Sequence, residues 1–146
     1  MTRVRTEVVN TDLSPNTHAI SELATSILDD GGVQLGNVTV IFSSDKMLHD
    51  LKKQFFHKDE YTDVIAFKLD EAPGEEFEGE IYISVERALE NAGIFGVSLT
   101  SELGRLICHG LLHLLGYNDD TPERKAEMRK AENKYLSLFS ADKLFS

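Results

Sequence analysis

Cysteine is almost absent from this chain of 146 residues: Cys108 is the only one. No internal disulfide can form from a lone thiol, and a reducing cytoplasm is the expected location. Long apolar runs are missing too. The apolar stretch around the histidines at 109 and 113 is broken by His and Gly and is too short to span a bilayer, so no membrane contact is expected. The opening MTRVRTEVVN lacks the apolar core of a signal peptide. Positive charge is scarce, with 15 Lys and Arg against 25 Asp and Glu, a formal net charge of −10. That balance excludes a broad grip on nucleic acid, which needs cations to neutralise phosphates. DNA is not an expected partner, and RNA would have to be held by a local basic patch or a metal. Repeats, low-complexity tracts and linkers are also lacking. What remains is a length suited to one compact domain, residues 1–146, with its 41% hydrophobic residues spread along the chain.

Local patterns divide that length into short strands and amphipathic helices. VRTEVV (4–9) alternates as a half-buried strand does. Ser14-Pro15 supplies a cap and a first-turn proline, and Ile20, Leu23, Ala24 and Ile27 follow at helical spacing up to Gly31-Gly32. VTVIF (38–42) reads as a strand, and Ser44 starts a helix carrying Met47, Leu48, Leu51 and Phe55 on one face. TDVIAFKL (62–69) and GEIYIS (79–84) read as strands, separated by an acidic loop at 70–79. A short helix covers 85–95. Thr100 is the expected cap of the next helix, with Glu102 in its first turn. Thr121-Pro122-Glu123 opens the last one, whose stripe is Met128, Ala131, Tyr135 and Leu138. The expected fold is α+β, with helices packed on a mixed sheet of about four strands.

The chemistry concentrates in CHGLLHLLGYNDD (108–120). On a helix, residues four apart are offset by only about 40°, so His109 and His113 project from one face and can reach one ion. The leucines between them fill the other directions. Gly110 costs roughly 1 kcal/mol against Ala inside a helix, so its place there needs a compensating close approach by a strand or substrate. Gly116 is placed to end the helix in a left-handed turn. The turn can return Asn118, Asp119 or Asp120 toward the histidines, completing a two-imidazole, one-carboxylate site with a position left for water. Cys108 lies about 100° around the helix from His109 and reads as core. His18 and His49 read as surface residues, Tyr117 as packing over the turn, and Arg105 as the partner of Glu102.

The run from His109 to Tyr117 resembles the signature H-G-x-L-H-L-x-G-Y-D-H of the YbeY family of bacterial metal-dependent endoribonucleases, which are rRNA maturation factors. Tyr61–Phe67 is similar to that family's P-T-D-V-L-S-F, and Gly79–Ser84 to its G-D-I-x-I-S; Met128 and Glu132 also fit its closing helix. The resemblance spans roughly residues 45–135. It implies a zincin-like metal-binding helix in an α+β fold and one Zn2+, with other divalent transition metals open. It also implies hydrolysis of single-stranded RNA, in 16S rRNA 3′-end maturation and ribosome quality control, with rRNA or ribosomal particles as partners. The metal ligands it implies are His109, His113 and, where the family has a third histidine, Asp119. Carboxylates are legitimate zinc ligands, although the charged ligand weakens the Lewis acid and widens the choice of metal toward iron(II). Asn118 stands where the family has Asp, and Phe56 where it has an Arg that meets RNA. Lys52, Lys53, His57 or Lys58 would have to supply a cation.

Two other classes compete. Zincin peptidases share the histidine spacing but need a Glu where Gly110 stands. A ribosome-associated factor with a structural metal would enclose its ion with four protein ligands. For the nuclease, a water activated by an ion on His109, His113 and Asp119 is the expected catalyst, and Thr62, Asp63, Glu80 and Lys58 are the expected lining of the substrate groove, with Asp63 and Glu80 placed to orient water or a ligand imidazole.

Overall fold

A computed structural model describes residues 2–70 and 76–145. Four strands, β1 (Thr2–Val8), β2 (Gly36–Ser43), β3 (Val64–Lys68) and β4 (Phe77–Ser84), form one sheet in the order β1-β2-β4-β3. The first three positions in that order run parallel, and β3 closes the edge antiparallel to β4. Five α-helices accompany them among the described residues: α1 (Thr17–Asp30), α2 (Asp45–Phe56), α3 (Val85–Phe95), α4 (Leu99–Leu114) and α5 (Pro122–Leu138). This is the expected α+β arrangement. The middle of the expected acidic loop, 71–75, lies outside the described residues, and its last residues, Phe77 and Glu78, already belong to β4.

Alternation along the strands decides which face holds what. Val38, Val40, Phe42, Ile81 and Ile83 are buried against Ile20, Leu23 and Ile27 of α1 and Leu103, Leu106, Ile107 and Leu111 of α4. Burying a side chain of this kind is worth about 1.5–3 kcal/mol, so this two-helix layer dominates the core. The other face carries Phe67 and Tyr82, whose rings meet edge to face at 5.8 Å. Phe55 and Phe56, at the end of α2, pack on Phe67. β1 shows the expected half-buried alternation, with Arg3, Arg5 and Glu7 exposed.

Three expected helix features are corrected. Asn16, not Ser14, caps α1 by accepting the Ala19 N–H at 3.1 Å, because Pro15 is drawn into a β-bridge with Phe145. Ser98 caps α4 through the Ser101 N–H, while the Thr100 hydroxyl donates to Asp142 at 2.7 Å. On α5 the inward residues are Met128, Glu132 and Tyr135, with Ala131 partly buried against the core as expected, and Leu138 is exposed because the helix runs past the core. The caps at Ser44 and Thr121 are as expected.

Candidate metal centre

Helix α4 is fixed by its contact with β4. A Cβ built on Gly110 would lie 2.6 Å from Cγ2 of Ile81. The helix therefore sits against the strand at a distance only glycine permits, which is the compensation its presence required. His109 and His113 project beside this contact, with ring centroids 4.7 Å apart. The helix then ends in a Schellman turn: the Tyr117 N–H donates to the Leu112 carbonyl and the Gly116 N–H to that of His113, with Gly116 at φ +102°.

That turn brings back one acid of the three candidates. Asp119 places Oδ2 3.6 Å from His109 Nε2 and Oδ1 3.7 Å from His113 Nε2. Ligand atoms of the three residues lie within 4.8 Å of one another. Asp120 is instead paired with Arg124 at 2.9 Å, and Asn118 lines a separate hollow with Leu115 and Arg124.

The donor set fits a divalent ion. The carboxylate–imidazole separations are too long for hydrogen bonds. With one donor atom from each residue inside 4.8 Å of the others, small side-chain rotations suffice for all three to reach one ion at about 2.0–2.2 Å. Glu132, almost fully buried, accepts from His109 Nδ1 at 2.7 Å. An ionised carboxylate only accepts, so it keeps the proton on Nδ1 and turns the Nε2 lone pair toward Asp119. Burial, followed by repulsion from His109, holds His113 below the usual imidazole range and favours the neutral form that binds metal.

Behind the histidines lies a network that joins the expected Arg105–Glu102 pair to Glu132 and Asp63. Arg105 does grip Glu102, Nε donating at 2.9 Å and Nη2 also bonded. It also stands 3.6 Å from Oε1 of Glu132, as Arg129 does at 3.8 Å, ion-pair distances that leave that oxygen without a hydrogen bond. Asn91 joins Glu102 to Asp63. The signal missed was an acid inside an apolar stripe: Glu132 falls between Met128 and Tyr135 on the inward face of α5.

Two hollows flank the triad and share Asp63, Val64, His109 and Asp119 in their walls. The larger, about 480 Å3, adds Arg105, Lys125, Arg129 and Glu132. The smaller, about 330 Å3, adds Lys52, Phe56, Thr62, Lys68 and His113. Thr62 and Asp63 are thus where a groove lining was expected. Glu80 is not: Gly79 and Ile81 face α4, so strand alternation turns Glu80 to the opposite face, where it accepts from the Tyr82 hydroxyl. Lys58, exposed beyond the end of α2, lines neither hollow; Lys52 and Lys68 bring the charge there instead. Of the remaining residues, Cys108 is core and His18 is exposed, whereas His49 is half-buried, stacked on Tyr61 and bonded to Asp59.

A family model described as "Endoribonuclease YbeY" matches residues 5–140. The chain belongs to the YbeY family. It is 40% identical over 122 residues to the endoribonuclease YbeY of Amoebophilus asiaticus, covering 84% of this chain and 82% of that one. Against its Flavobacterium psychrophilum counterpart it is 36% identical over 131 residues, 90% of this chain and 91% of the other. A solution structure from Thermotoga maritima superimposes with a TM-score of 0.56 at 26% identity, covering 94% and 91% of the two chains. The family model reaches further toward the N-terminus than the motifs do, so β1 and α1 belong to the shared YbeY fold.

Proposed function

We propose that this chain, as one domain, is a zinc-dependent endoribonuclease cutting single-stranded RNA, acting in the cytoplasm in 16S rRNA 3′-end maturation and ribosome quality control. The supporting observation is the convergence of His109, His113 and Asp119 at the junction of two open hollows. His109 Nε2, His113 Nε2 and a carboxylate oxygen of Asp119 would hold one divalent ion, zinc first and other transition metals as alternatives. When bound, the ion supplies Lewis acidity to a phosphoryl oxygen and to water. The protein's own residues do the rest. Glu132 fixes the His109 ring, and Arg105 offsets the buried charge of Glu102 and Glu132. Asp63, with Asn91 donating to one oxygen, faces both hollows and is placed to orient water.

Other readings fare worse on specific observations. Peptide hydrolysis by the zincin route needs a Glu at position 110, where Ile81 leaves no room for even a Cβ. A closed structural metal site needs a fourth ligand, and only three side chains gather among the described residues. The test is cleavage of unstructured RNA and of casein by protein of measured metal content. RNA cleavage that is abolished by a chelator and restored by a divalent ion supports the reading. Metal-loaded protein that leaves RNA intact overturns it.

A further inference from the structure

The two hollows meet at the triad but differ in chemistry. In the smaller one the cations are already committed: Lys52 lies 3.4 Å from Glu60 and Lys68 3.6 Å from Asp70. What this hollow offers is a ring. Phe56 is 42% exposed, stacked on Phe67 with centroids 5.7 Å apart and planes 27° from parallel. Phe67 is itself held edge-on by Phe55 and Tyr82. The Phe56 ring is therefore fixed on an aromatic support at the wall of a cavity that contains His109, His113 and Asp119. The Lys52 ammonium, paired with Glu60, lies 5.0 Å from its centroid.

The larger hollow has the opposite character. Its carboxylates are engaged: Asp119 with the histidines, Asp63 with Asn91, Glu132 with His109 and Arg105. One of its cations is not: Lys125 makes no ion pair among the described residues, while Arg129, 57% exposed, is held only by Glu132 at 3.8 Å through Nε. They are four residues apart on α5 and so present their charges from one face.

We propose that one RNA strand crosses the triad under two different grips: an unpaired base stacks on Phe56 on the α2 side, and a backbone phosphate is held by Lys125 and Arg129 on the α5 side. This rests on the endoribonuclease reading and adds to it a physical basis for selecting single strands. A base in a duplex has no free face for the ring, whereas an unstacked base does. It also answers the charge problem posed by −10 overall, because the cations that matter are local: unpaired Lys125 and the loosely paired, exposed Arg129.

The test is binding of a 2′-O-methyl oligoribonucleotide, recovered intact after each measurement, at several salt concentrations, with metal content and melting temperature checked for every variant. F56A and F56L are each expected to weaken binding about tenfold without changing its salt dependence, as the loss of one stacked base does. F56Y, which keeps a π face, retains wild-type affinity, and that separates stacking from packing. K125A/R129A is expected to lower the slope of log affinity against log salt by about 0.7, the value for one neutralised phosphate on a single strand; K125R/R129K keeps it. Wild-type affinity for F56L, or an unchanged slope for K125A/R129A, overturns the two-grip arrangement. So does equal, Phe56-dependent binding of polyglutamate, which would make the ligand an acidic peptide. If wild-type protein cleaves RNA while the variants bind normally, only the two grips fall. If metal-loaded wild type neither binds nor cleaves RNA, the endoribonuclease reading falls and takes them with it.

Discussion

Helices α4 and α5 both build the metal centre, yet they are seated in opposite ways. Ten of the sixteen residues of α4 are buried, and one of them, Gly110, is in contact that no other residue tolerates. Only Met128, Glu132 and Tyr135 are buried among the seventeen of α5, helped by the bond from the Tyr135 hydroxyl to Asp30 at 2.7 Å. The two imidazoles stand on the rigid helix. Asp119 comes from the bend between the two, and Lys125 and Arg129 stand on the lightly held one. The difference teaches a division of labour: α4 sets where an ion binds, and the α5 side adjusts around it. Glu132 is the one buried side chain that ties the second helix to a ligand on the first.

The comparison breaks most readily at the ligands. H113A is expected to lower metal affinity by more than about 100-fold, beyond the 10–100-fold typical of losing a supporting group. D119A, which removes a ligand from the adjustable bend, is expected to lose less, since water takes its place with little disturbance of α4. Chelator competition on the purified variants measures both. Equal losses would mean that the bend is as firmly set as the helix.

The link between the helices comes next. E132A removes the acceptor that keeps the His109 proton on Nδ1, and it leaves Arg105 with one buried carboxylate in place of two. Metal affinity is expected to fall about 10–100-fold. E132Q is expected to fall less, because its amide oxygen accepts the same hydrogen bond. Identical affinities for E132Q and E132A would assign the role of Glu132 to its charge rather than to orientation.

The seats themselves can be compared through a single methyl group. G110A drives a Cβ into Ile81 and is expected to cost about 1–3 kcal/mol of stability, the range for overpacking a tight contact. I81A in the same chain, which removes all three atoms met by the new methyl, relieves the clash and shows as favourable coupling in a double-mutant cycle. K130A on the exposed side of α5 stays within about 0.5 kcal/mol of the parent. Thermal or urea unfolding reads all four. A G110A variant as stable as the parent would remove the claim that β4 positions the histidines.

How much of this was legible follows the same contrast. The elements were visible from hydrophobic period, since Ile20 to Ile27 and Leu103 to Leu114 bury one continuous layer. His109 and His113 were visible because four-residue spacing on a helix is a local property. The third member of the candidate triad was not, on residues alone: three neighbouring polar side chains follow Gly116, and only the path of the turn brings Asp119 beside the histidines. Glu80 and Lys58 lie away from the two hollows for related reasons. The face a strand residue presents depends on register against its neighbours, which places Glu80 across from Phe67 and away from α4. The cations of the hollows, Lys52 with Lys68 and Arg105 with Lys125 and Arg129, come from four elements distant in sequence. No local pattern joins them.

The smallest expected effect is an absence of reaction at Cys108, beside His109 on the rigid helix. Its thiol is fully buried, and burial, reinforced by the charge of Glu132, pushes it up from 9.0 to about 12. At pH 8 an ordinary thiol already reacts through its thiolate fraction, whereas this one stays protonated inside the core. Native protein is expected to resist iodoacetamide over a time in which urea-unfolded protein is fully alkylated, and raising the pH to about 9 is expected to leave the native rate unchanged. The linkage has a definite sign. Above pH 9 the unfolded chain releases a proton that the folded chain retains, so this contribution to stability is complete below 9 and declines as the pH climbs toward 12. Alkylation of the native protein at the unfolded rate would show that α4 opens on the time scale of the reagent, and the contrast between a fixed helix and an adjustable one would then be lost.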